Sequence, residues 1–206
     1  VQIHHDAFEK FFLTSLGTDF LKFYYSSFIK NHETVCMVEI DNDIIVGFSA
    51  ATVMSKGFNT RLIKSNLPNF VLWSFKMLFS NPKALIRLVR NLVKKSDAME
   101  DNEYYAELFS IAVKSNQQNK GIGKILLSET EKELKTKGVE NLSLTTDYHD
   151  NDATIGFYKS MGYKSSNSFY NRAIIKMINN TAKMAKPTVS YVTMLIELNN
   201  GQGMDS

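Results

Sequence analysis

The stretch Gln118-Asn119-Lys120-Gly121-Ile122-Gly123-Lys124 places two glycines and two lysines where a strand-like run gives way to helical spacing. Such a mouth can hold an anion. The first N–H groups of a helix lack intrahelical acceptors, the helix end is positive, and glycine lets the backbone approach a phosphate closely. Two phosphate-binding patterns fail here. The nucleoside-triphosphate loop G-x-x-x-x-G-K-[ST] would need glycine at Gln118 and a hydroxyl at Ile125. A dinucleotide fingerprint would need a third glycine at Leu126. The stretch on its own is then either an anion cradle or an ordinary glycine-rich helix start. Other chemistry finds little material. Cys36, the single cysteine, cannot form an internal disulfide, and His4, His5, His32 and His149 show no ligand spacing with it, so no metal is expected.

The elements that must position this loop follow from periodicity. With 206 residues, 44% of them hydrophobic, the chain can bury a sizeable core, and a single domain over 1–206 is expected. Residues 5–30 carry helical spacing with Gly17 as a break, and two β-rich runs flank Asp41-Asn42-Asp43 as a hairpin. Residues 57–100 read as a helical insertion punctuated by Pro68 and Pro82, since proline suits a first helical turn. A strand to Val113 precedes the glycine loop. A helix closing at Gly138, a strand over 139–146, a helix ending at Gly162 and a last strand over 190–198 complete the series. The sum is an α/β fold, a sheet covered by helices. No leader segment is evident and the apolar run around Trp73 is too short to span a bilayer, so a cytoplasmic setting is expected. Charge is uneven: between Lys56 and Ser96 there are nine Lys or Arg and no Asp or Glu.

The run Leu108–Leu127, with its strand ending in Val113 and its Gln118-x-x-Gly121-x-Gly123 turn, closely resembles the acetyl-coenzyme A segment of the GCN5-related N-acetyltransferase family. Asn151, Phe157, Tyr158, Gly162 and Tyr163 match the family's second motif, with Thr154 where alanine is usual. The resemblance implies a central mixed, mostly antiparallel sheet flanked by helices, with the basic helical insertion entering before the cofactor-binding strand. It implies acetyl-CoA as co-substrate and no metal. The backbone of Ile111, Ala112 and Val113 would pair with the pantetheine arm, and a strand-edge N–H near Ile111 would polarise the thioester carbonyl. Amides of Asn119, Lys120, Gly121, Ile122, Gly123 and Lys124, following Gln118, would hold the pyrophosphate, and Asn151 would touch the cofactor further along. The amine attacks directly, so Cys36 is expected to be a small buried thiol without a catalytic task.

Tyr158 falls on the family's general-acid position, where a phenol can protonate the departing thiolate. Glu107 matches the base of the histone-modifying branch and equally suits a solvated strand residue. The slot used by the branch acting on a ribosomal protein's N-terminus holds Thr146, which cannot serve, so Asp147, His149 and water stay open as alternatives. The expected acceptor is a primary amine on a small molecule, with an amino-sugar intermediate as the specific reading. That reading rests on residues 11–25, which look like the opening of bacterial enzymes of this type. A protein or peptide acetyltransferase and a non-catalytic acyl-CoA sensor are the alternatives. Nucleic acid is not an expected partner, and a homodimer is the symmetric default. The basic helix at 82–95, with Arg87, Arg90 and Lys94 on one side, is expected to face something anionic. An acceptor's phosphates are preferred there over the cofactor's own phosphates or a peripheral membrane contact.

Overall fold

The computed structural model describes residues 1–80, 82–83, 85–86, 105–147, 151–166 and 191–197, with the backbone alone at 80, 147, 166 and 191–197. Strands β1 (Thr34–Asp41), β2 (Ile44–Thr52), β3 (Ala106–Val113), β4 (Asn141–Asp147), β5 (Lys164–Ser166) and β6 (Tyr191–Glu197) form one sheet in the order β1-β2-β3-β4-β6-β5. Every pairing is antiparallel except β3 with β4. The β1–β2 turn is tight because Asn42 and Asp43 both take positive φ, 48° and 60°, a conformation these side chains tolerate better than most.

The helices are α1 (Gln2–Ala7), α2 (Phe12–Ser15), α3 (Thr18–Ile29), α4 (Phe58–Ser65), α5 (Leu67–Ser80), α6 (Ile122–Thr136) and α7 (Asp152–Ser160). Gly17, at φ 91°, breaks the first helical stretch as its sequence suggests. A second break separates α1 from α2, where the Thr14 hydroxyl bonds the Phe8 carbonyl and holds the turn. Pro68 sits in the first turn of α5, and Pro82, Lys83, Leu85 and Ile86 are helical. The expected basic helix beyond Ile86, with Arg87, Arg90 and Lys94, lies outside the described residues.

Two cores lie on opposite faces of the sheet. Ala51 belongs to a cluster with Leu108, Leu127, Leu134, Leu142, and Tyr158. Its neighbour Ala50 belongs to an aromatic cluster with Phe20, Tyr24, Phe28 and Phe58. Consecutive strand residues point to opposite faces, so α6 and α7 cover one side and α3, α4 and α5 the other.

Helix α6 is held close to β2 by a buried hydroxyl pair, Ser49 Oγ and Thr130 Oγ1 at 2.6 Å. Gly47 permits the approach: a Cβ there would meet Leu126 Cδ1 at 2.9 Å and the Ala112 carbonyl oxygen at 3.2 Å. Gly47→Ala should therefore destabilise the protein by about 1–3 kcal/mol. A drop in the denaturant midpoint checks this, and an unchanged midpoint would show that α6 can retreat at no cost.

Candidate active site

The site is built by one extra residue in β3. Ala50 pairs with Ser110 and Ala51 with Leu108, which leaves Phe109 without a partner on β2, a β-bulge. Phe109 packs into the aromatic cluster and Ser110 accepts a hydrogen bond from Tyr25, so both lie on the α3 side. The bulge bends β3, and its pairing with β4 stops at Leu108 with Leu144. From there the two strands part.

The Lys114 N–H donates to the Val46 carbonyl at 2.8 Å. By alternation, Ala112 also turns its peptide groups to β2, and Ile111 and Val113 turn theirs into the split. The Val113 carbonyl accepts from Gln118 Nε2 at 3.3 Å, and the Ile111 N–H and C=O have no strand partner among the described residues. An extended chain laid in the split would find a ready strand edge.

The split runs into the glycine loop. After a 3-10 turn at Ser115–Gln117, Asn119 takes φ 61° and Gly121 φ 82° around Lys120, an alternation that gathers N–H groups into an anion-binding concavity. Gly121 is the N-cap of α6, no side chain caps the helix, and no acid occupies its first turn. Ile125 N–H bonds the Gly121 carbonyl, so the amides of Ile122, Gly123 and Lys124 precede the first intrahelical bond and point outward. Lys120 Nζ donates to Gln117 Oε1 at 2.7 Å, which keeps its charge beside the loop.

Tyr158 lies on the α6–α7 side of the sheet. It is buried between Phe157 and Tyr163, with ring centroids 5.2 Å and 5.6 Å away, and its hydroxyl has no hydrogen-bond partner among the described residues. Burial pushes its pKa up to about 12, so the phenol keeps its proton at neutral pH. Gly123 ties this helix to the loop, because a Cβ on Gly123 would sit 3.7 Å from the Phe157 ring. Asn151 opens α7 and donates from Nδ2 to Thr146 Oγ1 at 2.7 Å, bracing α7 against β4.

Glu107 precedes the bulge on β3. Its neighbour Leu108 faces α6, so Glu107 faces α3. It is half-buried, and the Ser55 hydroxyl donates to its Oε2. Desolvation raises its pKa and the Ser55 bond opposes that rise. The Asp147 backbone closes β4, while its side chain and the whole of His149 lie outside the described residues. Cys36 is exposed rather than buried, on β1, the outermost strand of the sheet among the described residues.

Three polar residues here carry no sequence signal. Tyr25 donates to Ser110 Oγ at 3.1 Å and lies 2.6 Å from His4 Nδ1. His4 is buried, and burial lowers its pKa. Its Nε2 is the buried polar atom without a partner among the described residues. This neutral relay braces the bulge at Ser110, next to Ile111. Ser55 is the third element missed, bonded to a residue 52 positions away. No local pattern in a sequence reports such long-range pairs. Among the described residues no group of three or more His, Cys, Asp and Glu could hold a metal ion.

Residues 1–163 match the model of the Acetyltransferase (GNAT) family. No curated protein matches the chain. Solved structures with a similar fold include a ribosomal-protein-alanine N-acetyltransferase from Brucella melitensis, 15% identical, with 95% of this chain and 90% of that one covered and a TM-score of 0.56. An aminoglycoside 6'-N-acetyltransferase complexed with coenzyme A is 14% identical, with coverage of 98% and 90% and a TM-score of 0.54. A GNAT-family protein from Desulfovibrio desulfuricans is 12% identical, with coverage of 88% and 80% and a TM-score of 0.51.

Proposed function

The chain belongs to the GNAT acetyltransferase family, and from that premise we propose that it transfers acetyl from acetyl-CoA to a primary amine of a small molecule, by direct attack of the amine on the thioester. The observation that carries this reading is the continuous path from the open β3 edge at Ile111 and Val113 to the uncapped start of α6. A pantetheine arm and a pyrophosphate fit that path as an added strand and an anion. The amides of Asn119 to Lys124 would hold the pyrophosphate, with Lys120 and Lys124 adding charge. The Ile111 N–H would stabilise the negative charge that develops on the thioester oxygen.

Glu107 and Tyr158 sit on opposite faces of the split sheet. That arrangement suits two proton transfers at opposite ends of one displacement. Glu107 removes the proton from the attacking ammonium, and Tyr158 protonates the sulfur that leaves. Asn151 supports β4 from the far side of the split through Thr146.

Base catalysis requires the Glu107 carboxylate. Its raised pKa places the acidic limb of the rate profile above the ordinary carboxylate range, with the rate rising as pH climbs through it. Ser55→Ala removes the bond that favours the ionised form and should move that limb to higher pH. Glu107→Gln should lower kcat/KM about 10-fold, because water remains a second proton acceptor. Folding responds in the opposite direction. A carboxyl whose folded pKa is raised loses stability as pH rises from its unfolded value through its folded one. The Gln variant should therefore melt no lower than the parent at neutral pH. A full-rate Glu107→Gln enzyme would remove Glu107 from the chemistry.

The acceptor is proposed to be an amino-sugar intermediate, supported by the likeness of residues 11–25 to bacterial enzymes of that kind. Titration calorimetry with acetyl-CoA, followed by free-thiol release against amino sugars, nucleotide-linked amino sugars and peptides, tests the reading. Thiol release with peptides alone would make the protein a peptide acetyltransferase. Binding without release to any amine would make it an acyl-CoA sensor.

A further inference from the structure

Helix α5 (Leu67–Ser80) is apolar on two sides. One side faces the core, where Phe70 and Met77 are buried and Trp73 packs on Phe20 with centroids 4.3 Å apart. The other side carries Leu67, Val71, Leu72, Phe75, Leu78 and Phe79, all exposed; Leu72, Phe75 and Phe79 reach 73%, 63% and 78%. At helical spacing these six fall within an arc of about 140°. Single exposed apolar side chains are ordinary on a soluble protein, but a contiguous run of this size along one helix marks an interaction surface.

Charge decides what that surface meets. Within α5 the one charged residue is Lys76, and the chain from Lys56 to Ser96 holds nine cations and no anion. Lys76 lies at the margin of the arc next to Leu72, and Lys83 is exposed in the helical residues that follow α5. Lys76 reaches Asp19 Oδ2 of α3 at 3.7 Å, a pair with both side chains about three-quarters exposed and so easily exchanged for another anion. A second copy of the chain is a poorer occupant, since an isologous contact would set Lys76 against its own copy with Asp19 the acid beside it. A nucleic acid would leave the leucines and phenylalanines unmatched.

We propose that α5 is an interfacial membrane helix: its outer arc sinks into the headgroup and acyl boundary of an anionic bilayer, with Lys76 and Lys83 among the lipid phosphates. Phenylalanine and leucine over one arc with a lysine at its edge and further cations along the adjoining chain is the composition such helices use. Among the described residues no helix is long and apolar enough to cross a membrane, so the protein would lie on the surface rather than span it. This docking is independent of which amine the enzyme acetylates.

The test is cosedimentation of the full chain with vesicles. Wild type should bind vesicles of equal parts phosphatidylglycerol and phosphatidylcholine at least ~10-fold more than phosphatidylcholine alone. The triple variant Leu72→Ser, Phe75→Ser, Phe79→Ser should lose at least ~10-fold of that binding, with an unchanged melting temperature and unchanged calorimetric affinity for acetyl-CoA. Lys76→Gln with Lys83→Gln should lose the preference for the anionic lipid. Wild type remaining in the supernatant with both vesicles overturns the proposal, as does a triple variant that binds like wild type. A dimer, seen by light scattering, that dissolves in the triple variant while vesicle binding is absent assigns the face to a second copy instead. Loss of acetyl-CoA affinity in wild type would count against the catalytic reading and leave the vesicle result standing.

Discussion

Gly123→Glu is expected to reduce affinity for acetyl-CoA by at least ~10³-fold while leaving the fold intact. Gly123 is the cleaner of the two loop glycines to replace. Gly121 needs φ 82°, so any side chain there strains the backbone, whereas Gly123 is not among the positive-φ residues and a Cβ on it would meet Phe157 at an ordinary 3.7 Å. A carboxylate in the first turn of α6 also complements the helix dipole and supplies an acid where none is present. The variant should melt at or above the parent temperature and yet repel the pyrophosphate from the amides of Ile122 to Lys124. Calorimetry and a thermal melt on the same sample check both halves. Retained affinity would show that the phosphates sit elsewhere.

Tyr158→Phe is expected to lower kcat by about 10²-fold with little change in cofactor affinity. The change keeps the ring that packs on Phe157 and Tyr163 and removes only a hydroxyl, which has no partner among the described residues. The folded core therefore loses no hydrogen bond, and stability should hold or rise slightly. The alkaline limb supplies a second reading. Burial puts the Tyr158 pKa near 12, so the acid should stay competent well above neutral pH. A donor less buried than this would fail earlier. If the Phe variant turns over at the parental rate, Tyr158 is core packing and another group protonates the thiolate.

The sequence by itself determined what local rules govern. The helix of 122–136 could be placed from its apolar spacing, its glycine start at Gly121 and its glycine stop at Gly138, whose φ of 76° ends it. The β1–β2 hairpin was legible for the same reason, since Asn42 and Asp43 carry the turn within two residues. The loop from Gln118 to Lys124 and the Tyr158 helix were legible as motifs, because short backbone geometries impose residue types. Strand β5 was missed: Lys164–Ser166 is three residues long and shows no alternation of its own.

Only the tertiary structure decided the features that join distant residues. The bulge at Phe109 arises from the pairing of β2 with β3, and it is this register shift that parts β3 from β4. The environment of Glu107 depends on Ser55, and the brace behind Ser110 on Tyr25 and His4, across 85 and 21 residues of chain. The same holds for α5. The sequence places it only within a helical insertion over 57–100 and does not say which side turns inward. Once one side packs on Phe20 and the α3 core, the opposite arc has no protein surface over it among the described residues, because a helix on one outer face of a sheet can bury only the side turned inward.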